Sequence, residues 1–352
     1  MPALYELRLP NVTVPGPPHD TYDAHLLAQQ RLYDPTLGPR RDVERASLAT
    51  AEARVRTTVY ALRNDVNDAF FSAALAEARA GELTAAISDL ETQLRVAQAR
   101  VREGTALRSE PATIEAELLR RRQDRDDLGA TRSASLAVLG ALTGLRIGAG
   151  DTLALPDLGA AVTAARASLP RTRPEYAQFA RTREQLAAQE RVVTAQTRPR
   201  VSAFGRVGYG KPGLDFLDNS FNSYWLAGVQ IQWAPWTWGS ADRDREVLAV
   251  QREIISTDED AFTAATQRSI ERQLADIDRL TASLRTDDAI IALRERIEQE
   301  TRRRYDEAVV TAAEYVDRRN DVLAARLTRV GHDVELAQAR AHYLTTIGLE
   351  LR

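Results

Sequence analysis

From about Arg40 to Gly104 the chain offers almost nothing that breaks a helix. Within those residues proline is absent and Gly81 is the only glycine before Gly104, while Ala, Arg, Glu, Leu and Gln dominate. All five are good helix formers. A helix of some 60 residues would be roughly 90 Å long at 1.5 Å per residue. One stripe of Leu, Val and Ala on such a rod cannot bury itself, so partner helices are required. Gly104-Thr-Ala-Leu-Arg-Ser-Glu-Pro111 breaks the run, and a return helix is expected from about Ala112 to Leu142, ending at Gly144. This alone restricts the chain to a mainly helical fold built on long hairpins.

The same pattern comes twice. After Gly239 a helix of similar length is expected to about Glu307, with Ile270, Leu274, Ile277, Leu284, Ile291 and Ile297 at helical spacing. A break near Val309-Val-Thr311 precedes a return helix from Ala312 to about Thr346. A constant offset of 204 residues relates Gly104 to Ala308, Glu110 to Glu314, and Gly144-Leu145 to Gly348-Leu349. Breaks and ends in a constant register argue for duplication of one unit. Residues 1–145 form the first repeat, 146–198 a linker with short helices, loops and a connecting helix (174–197), and 199–352 the second repeat. The helix 174–197 precedes the strands of the second repeat, and nothing precedes those of the first. Met1 to Arg8 lacks the basic and apolar regions of a signal peptide. A chain read from Met1 is therefore expected to lack one N-terminal helix.

Each helical hairpin follows residues that alternate with the two-residue period of a strand. Tyr5, Leu7 and Leu9 alternate with Glu6 and Arg8. Tyr22, Ala24, Leu26 and Ala28 alternate with Asp23, His25 and Gln29. A third strand carries Val201, Ala203, Val207 and Tyr209. The fourth holds Trp225, Ala227, Val229, Ile231 and Trp233 on one face, and Leu226, Gly228, Gln230 and Gln232 on the other. All four tryptophans of the protein lie between 225 and 238. Trp225 and Trp233 end an apolar face about 26 Å long at roughly 3.3 Å per residue. A transmembrane β-barrel presents an apolar band about 25 Å tall, edged by aromatic girdles. Tyr22, Tyr209, Trp225 and Trp233 are the candidate girdle. A half-buried strand of a soluble coiled-coil scaffold has the same alternation and is the alternative.

Composition narrows the functions. The net charge of −3 gives no bulk attraction for nucleic acid. Lys211 is the only lysine, and cysteine is absent, which excludes disulfides and thiolate chemistry. The histidines (His19, His25, His332, His342) show no metal-ligand spacing, and Gly205, Gly208 and Gly210 do not open a helix as a phosphate loop does. With no nucleophile–base constellation, no enzyme, cofactor or metal is expected.

The chain resembles the TolC-like outer-membrane efflux family over nearly its whole length. Gln30-Arg-Leu-Tyr-Asp34 and Trp233-Ala-Pro-Trp-Thr-Trp-Gly239 are similar to its strand-to-helix signature. Ala99-Arg-Val-Arg-Glu-Gly-Thr105 with Glu115-Ala-Glu-Leu-Leu119 resembles its first hairpin, and Arg304-Tyr-Asp-Glu-Ala308 through Asp317 its second. The resemblance implies a homotrimer in which each chain gives four strands to a barrel in outer-membrane lipid. The hairpins would form a periplasmic tunnel that docks a periplasmic adaptor and an inner-membrane pump. Ser109, Glu110 and Tyr305 then become candidate gate residues, with Glu110, Glu314 and Asp317 as candidate carboxylates at the constriction. Gly104 and Ala308 are the implied adaptor-docking tips. The family's arginine two residues after the second break falls on Val310, which leaves Arg303, Arg304 or Arg318 to replace it.

Overall fold

The computed structural model describes residues 20–167, 172–214 and 220–349. The elements run β1 (Tyr22–Tyr33), α1 (Leu37–Arg102), α2 (Ser109–Thr143), α3 (Gly159–Ala167), α4 (Pro174–Gln196), β2 (Arg200–Lys211), β3 (Asn222–Gln232), α5 (Ser240–Asp306) and α6 (Ala312–Ile347). The mainly helical fold with a small β part is as expected, and α1 and α5 have 66 and 67 residues. The strand expected near Tyr5 lies outside the described residues. The chain divides into two compact units, Met1–Ala51 with Ala180–Ser256, and Glu52–Phe179 with Thr257–Arg352.

The first unit holds an antiparallel sheet in the order β1-β2-β3. Residues opposed across antiparallel strands share a face. Leu26, Val207 and Trp225 are opposed in one row; Ala28, Gly205 and Ala227 form the next, and Ala203 opposes Val229. These are the apolar parities of all three strands, now aligned. The opposite face carries His25, Gly208 and Tyr224 in one row and Gln29, Phe204 and Gly228 in another. Two glycines there leave room for a neighbouring ring: a Cβ on Gly208 would lie 2.5 Å from the Tyr224 ring, and one on Gly228 would lie 2.8 Å from the Phe204 ring. Tyr224 thereby passes over β2 and donates its hydroxyl to Asp23 of β1.

The second unit contains α2, α3, α6, the greater part of α1 and α5, and their core. Phe71 and Ala74 of α1, Ile270, Ile277 and Leu280 of α5, and Val334, Ala337, Ala341, Leu344 and Ile347 of α6 form one cluster, sealed by Leu158, Val162 and Ala165 on and beside α3. A second cluster joins Ile87, Leu90 and Ala97 of α1 to Ile114 and Leu118 of α2 and Val316 of α6. The spacings of three and four put each set on one helical face. Helix ends obey the 204-residue register. Gly144 and Gly348 are both left-handed C-caps, at φ 72° and 87°. At the breaks, Thr105 N–H donates to Arg100 O and Val309 N–H donates to Arg304 O. Gly104 and Ala308 both sit at positive φ, 75° and 57°.

Candidate functional site at the hairpin tips

Where α5 ends, the chain places Tyr305, then the turn at Ala308, then Thr311, whose hydroxyl caps α6 by accepting from Glu314 N–H. Tyr305, Ala312 and Tyr315 pack into one small buried cluster with Val310 against it. The two tyrosine rings stack at 5.2 Å with 4° between their planes. Offset stacking of this kind stabilises by about 0.5–1.5 kcal/mol beyond the area buried.

This cluster is tied to the first hairpin. The Tyr305 hydroxyl donates to Glu110 Oε2 at 3.0 Å, while Glu110 Oε1 accepts from Leu107 N–H at 3.4 Å. Burial first, and the Glu110 carboxylate second, push the Tyr305 phenol up to about 12. Arg100 of α1 sits 5.3 Å from the Tyr305 ring centre and bonds Asp306 at 3.0 Å. Arg319 of α6 donates to Asp89 of α1 at 2.7 Å and to the Tyr315 hydroxyl at 3.3 Å.

The structure thus joins Tyr305 to Glu110. Ser109 is exposed, and its carbonyl accepts from Thr113. Glu314 and Asp317 are exposed side chains on the first turns of α6. Gly104 and Ala308 form the two turns, each with a solvent-facing aliphatic close by, Leu107 at the first and Val309 at the second. Of the arginines expected to replace the one missing at Val310, Arg303 turns back to the Gln299 carbonyl and Arg318 to Asp321, each on its own helix. The arginines found at the tyrosines are Arg100 and Arg319. Sequence reasoning missed both, together with Tyr315 and Asp89. The signal available was the i, i+4 spacing of Tyr315 and Arg319, which puts them on one helix face.

The candidate girdle residues lie on the sheet's apolar face or just past its ends. Tyr22 and Tyr209 each stack on Phe221, at 6.1 Å and 5.6 Å. Trp225 is 74% exposed and Trp233 59%, and between them Val229 and Ile231 are 63% and 68% exposed. Every residue of β1 is exposed. Trp236 and Trp238, past the end of β3, are almost fully exposed. An aromatic-edged apolar face of this size, bare among the described residues, marks a surface that meets lipid or another protein. Among the described residues no helix is long and apolar enough to cross a membrane. Histidines found carboxylates that spacing did not reveal: His25 with Asp23, His332 with Asp287, and His342 with Asp68. His19 lies outside the described residues.

No protein-family model matches the sequence, and no curated protein does. Solved structures do match. CusC, a transmembrane channel, superposes with a TM-score of 0.72 at 15% identity, over 93% of this chain and 78% of that one. The outer-membrane protein VceC of Vibrio cholerae gives 0.69 at 15%, over 94% and 86%. The MtrE outer-membrane channel of Neisseria gonorrhoeae, in its open state, gives 0.67 at 17%, over 94% and 80%. The chain has the TolC-like outer-membrane channel fold. Neighbours with this TolC-like fold are channels rather than enzymes, and the likeness covers both the strands and the hairpins.

Proposed function

We propose that this chain is one protomer of a homotrimeric outer-membrane exit duct, serving a tripartite efflux or secretion system as a passive conduit. The carrying observation is the sheet: an apolar face edged by Tyr22, Tyr209, Trp225 and Trp233 and left bare among the described residues. In a soluble coiled-coil scaffold those side chains would stand in water. In a barrel they meet hydrocarbon, and the outer strand edges of each chain find partners in neighbouring copies. The polar parity, with Asp23, His25, Arg206 and Gln230, then lines the lumen.

In this reading the protein sits in the outer membrane and reaches into the periplasm. Residues 1–145 and 199–352 supply the two strand-and-hairpin repeats, and 146–198 the segment between them. The tips form the periplasmic entrance. Tyr305 and Glu110, with Ser109 beside them, hold it shut, and Glu314 and Asp317 become rings of three carboxylates that favour cations. The turns at Gly104 and Ala308 receive the hairpin of a periplasmic adaptor, which links the duct to an inner-membrane pump.

The test is fractionation of the protein expressed with an export signal. It is expected in the outer-membrane fraction, running as a trimer until heated in detergent. Recovery solely as a soluble monomer would overturn the reading.

A further inference from the structure

We propose that Arg319 is a positioning residue of the gate: it latches α6 to α1 through Asp89 and holds the stacked tyrosines in their closed place. The inference rests on the channel reading above and adds a second tie to it, in a different layer of the hairpins.

Ion pairs within one helix cannot hold two helices together. Arg318–Asp321 is such a pair, and both its side chains are well exposed. Arg100–Asp306 does cross between hairpins, but solvent reaches both partners, so it is weakly held. Arg319 also crosses between the hairpins, and although its partner Asp89 is 68% exposed, the guanidinium itself is held by two partners. Its side chain is only 16% exposed, and its short bond to Asp89 runs from α6 to α1. Its second bond, to Tyr315, reaches a hydroxyl on a residue that is 1% exposed. A continuous path follows: Asp89, Arg319, Tyr315, the stacked Tyr305, and Glu110 of α2. Swinging the second hairpin from the first must break that path at both ends.

Beside Arg319 lies a cavity of about 370 Å³, lined by Glu82, Asp89, Arg121, Glu298, Arg302 and Asn320 among others. Room and polar partners of this kind hold water. Parting the hairpins here breaks the ion pair beside the cavity and also uncovers the small cluster that joins Ile87, Leu90, Ile114 and Leu118 to Val316.

The experiment compares Arg319→Gln, Asp89→Ala and Asp89→Glu as assembled trimers, with heat-resistant trimer as the check on folding. Asp89 is the more exposed partner, so its variants keep the question answerable if Arg319→Gln does not assemble. In planar bilayers, Arg319→Gln and Asp89→Ala are expected to raise open-channel occupancy about ten-fold, the effect of one charge-assisted hydrogen bond, while Asp89→Glu stays near wild type. Amide exchange over residues 312–323 is expected to rise in Asp89→Ala and not in Asp89→Glu. A conducting wild type with unchanged occupancy and exchange in Asp89→Ala overturns the latch alone. If no variant ever conducts, the channel reading falls, and the exchange comparison still decides the latch.

Discussion

Tyr305 and Glu110, 195 residues apart in the chain, meet through one hydrogen bond of 3.0 Å between the two hairpin tips. A bond from a buried phenol to a carboxylate is worth about 1.5–3 kcal/mol, more than a neutral one. Tyr305→Phe removes the donor and keeps the ring that stacks on Tyr315. We expect the closed entrance to lose roughly ten-fold or more of its occupancy per protomer. Single-channel recording decides it: a Tyr305→Phe trimer as tightly shut as wild type would remove this contact from the gate.

The same residue sets an alkaline limit. An unfolded tyrosine titrates near 10, whereas folding raises the Tyr305 phenol to about 12, through burial and then Glu110. The folded state holds this proton more tightly. Its contribution to stability is therefore complete below pH 10 and is lost as pH rises through about 12. Thermal melts at a series of pH values should show wild type falling toward Tyr305→Phe across that window, and parallel curves throughout would contradict it.

Glu314 and Asp317 present exposed carboxylates three residues apart on α6. In a trimer each becomes a threefold ring. Replacing both by alanine should lower cation preference and weaken block by multivalent cations. Reversal potentials in a salt gradient report this directly, and an unchanged ion preference would take the pair out of the constriction.

Val229 lies mid-way along the bare apolar face and is 63% exposed. Val229→Arg should cost about 2–4 kcal/mol if hydrocarbon lies outside, against roughly 0.5 or less at an ordinary watery surface. Urea or heat stability of the trimer measures the difference, and tolerance of arginine there would argue for water.

The two kinds of helix end should respond unequally to a methyl group. Gly104 has φ 75° and open space where a Cβ would stand, so Gly104→Ala meets only the left-handed penalty, about 1–2 kcal/mol. Gly348 has φ 87°, and its Cβ would lie 2.8 Å from the Arg173 backbone nitrogen and 2.7 Å from Thr172 Oγ1. Gly348→Ala should therefore be clearly the more destabilising. Equal losses would show that the 172–174 segment yields freely.

The element order was legible because glycine and proline punctuate it: Gly144, Pro174 and Gly348 fall at real helix boundaries. The strand faces were legible because alternation is local. The latch was not. Asp89 and Arg319 are 230 residues apart; the i, i+4 spacing puts Arg319 on the face of Tyr315, but nothing local chooses the acid it meets on α1. One residue turns a helix by about 100°, so the choice depends on how α6 is rolled against α1, a tertiary fact. Tyr305 with Glu110 came from the resemblance, and the structure supplies their contact. Ala308 at positive φ was also hidden, since alanine does not advertise a left-handed turn.

Among the described residues, β1 and β3 each pair on one side only, and β1 is exposed along its whole length. That arrangement dictates an order of events. In the proposed trimer a solitary copy would hold open strand edges in water, so ring closure and departure from the aqueous phase are expected to coincide. Faults in these strands will then surface early, as copies degraded or clumped before they ever assemble, and the yield of mature protein will record them sooner than any leak.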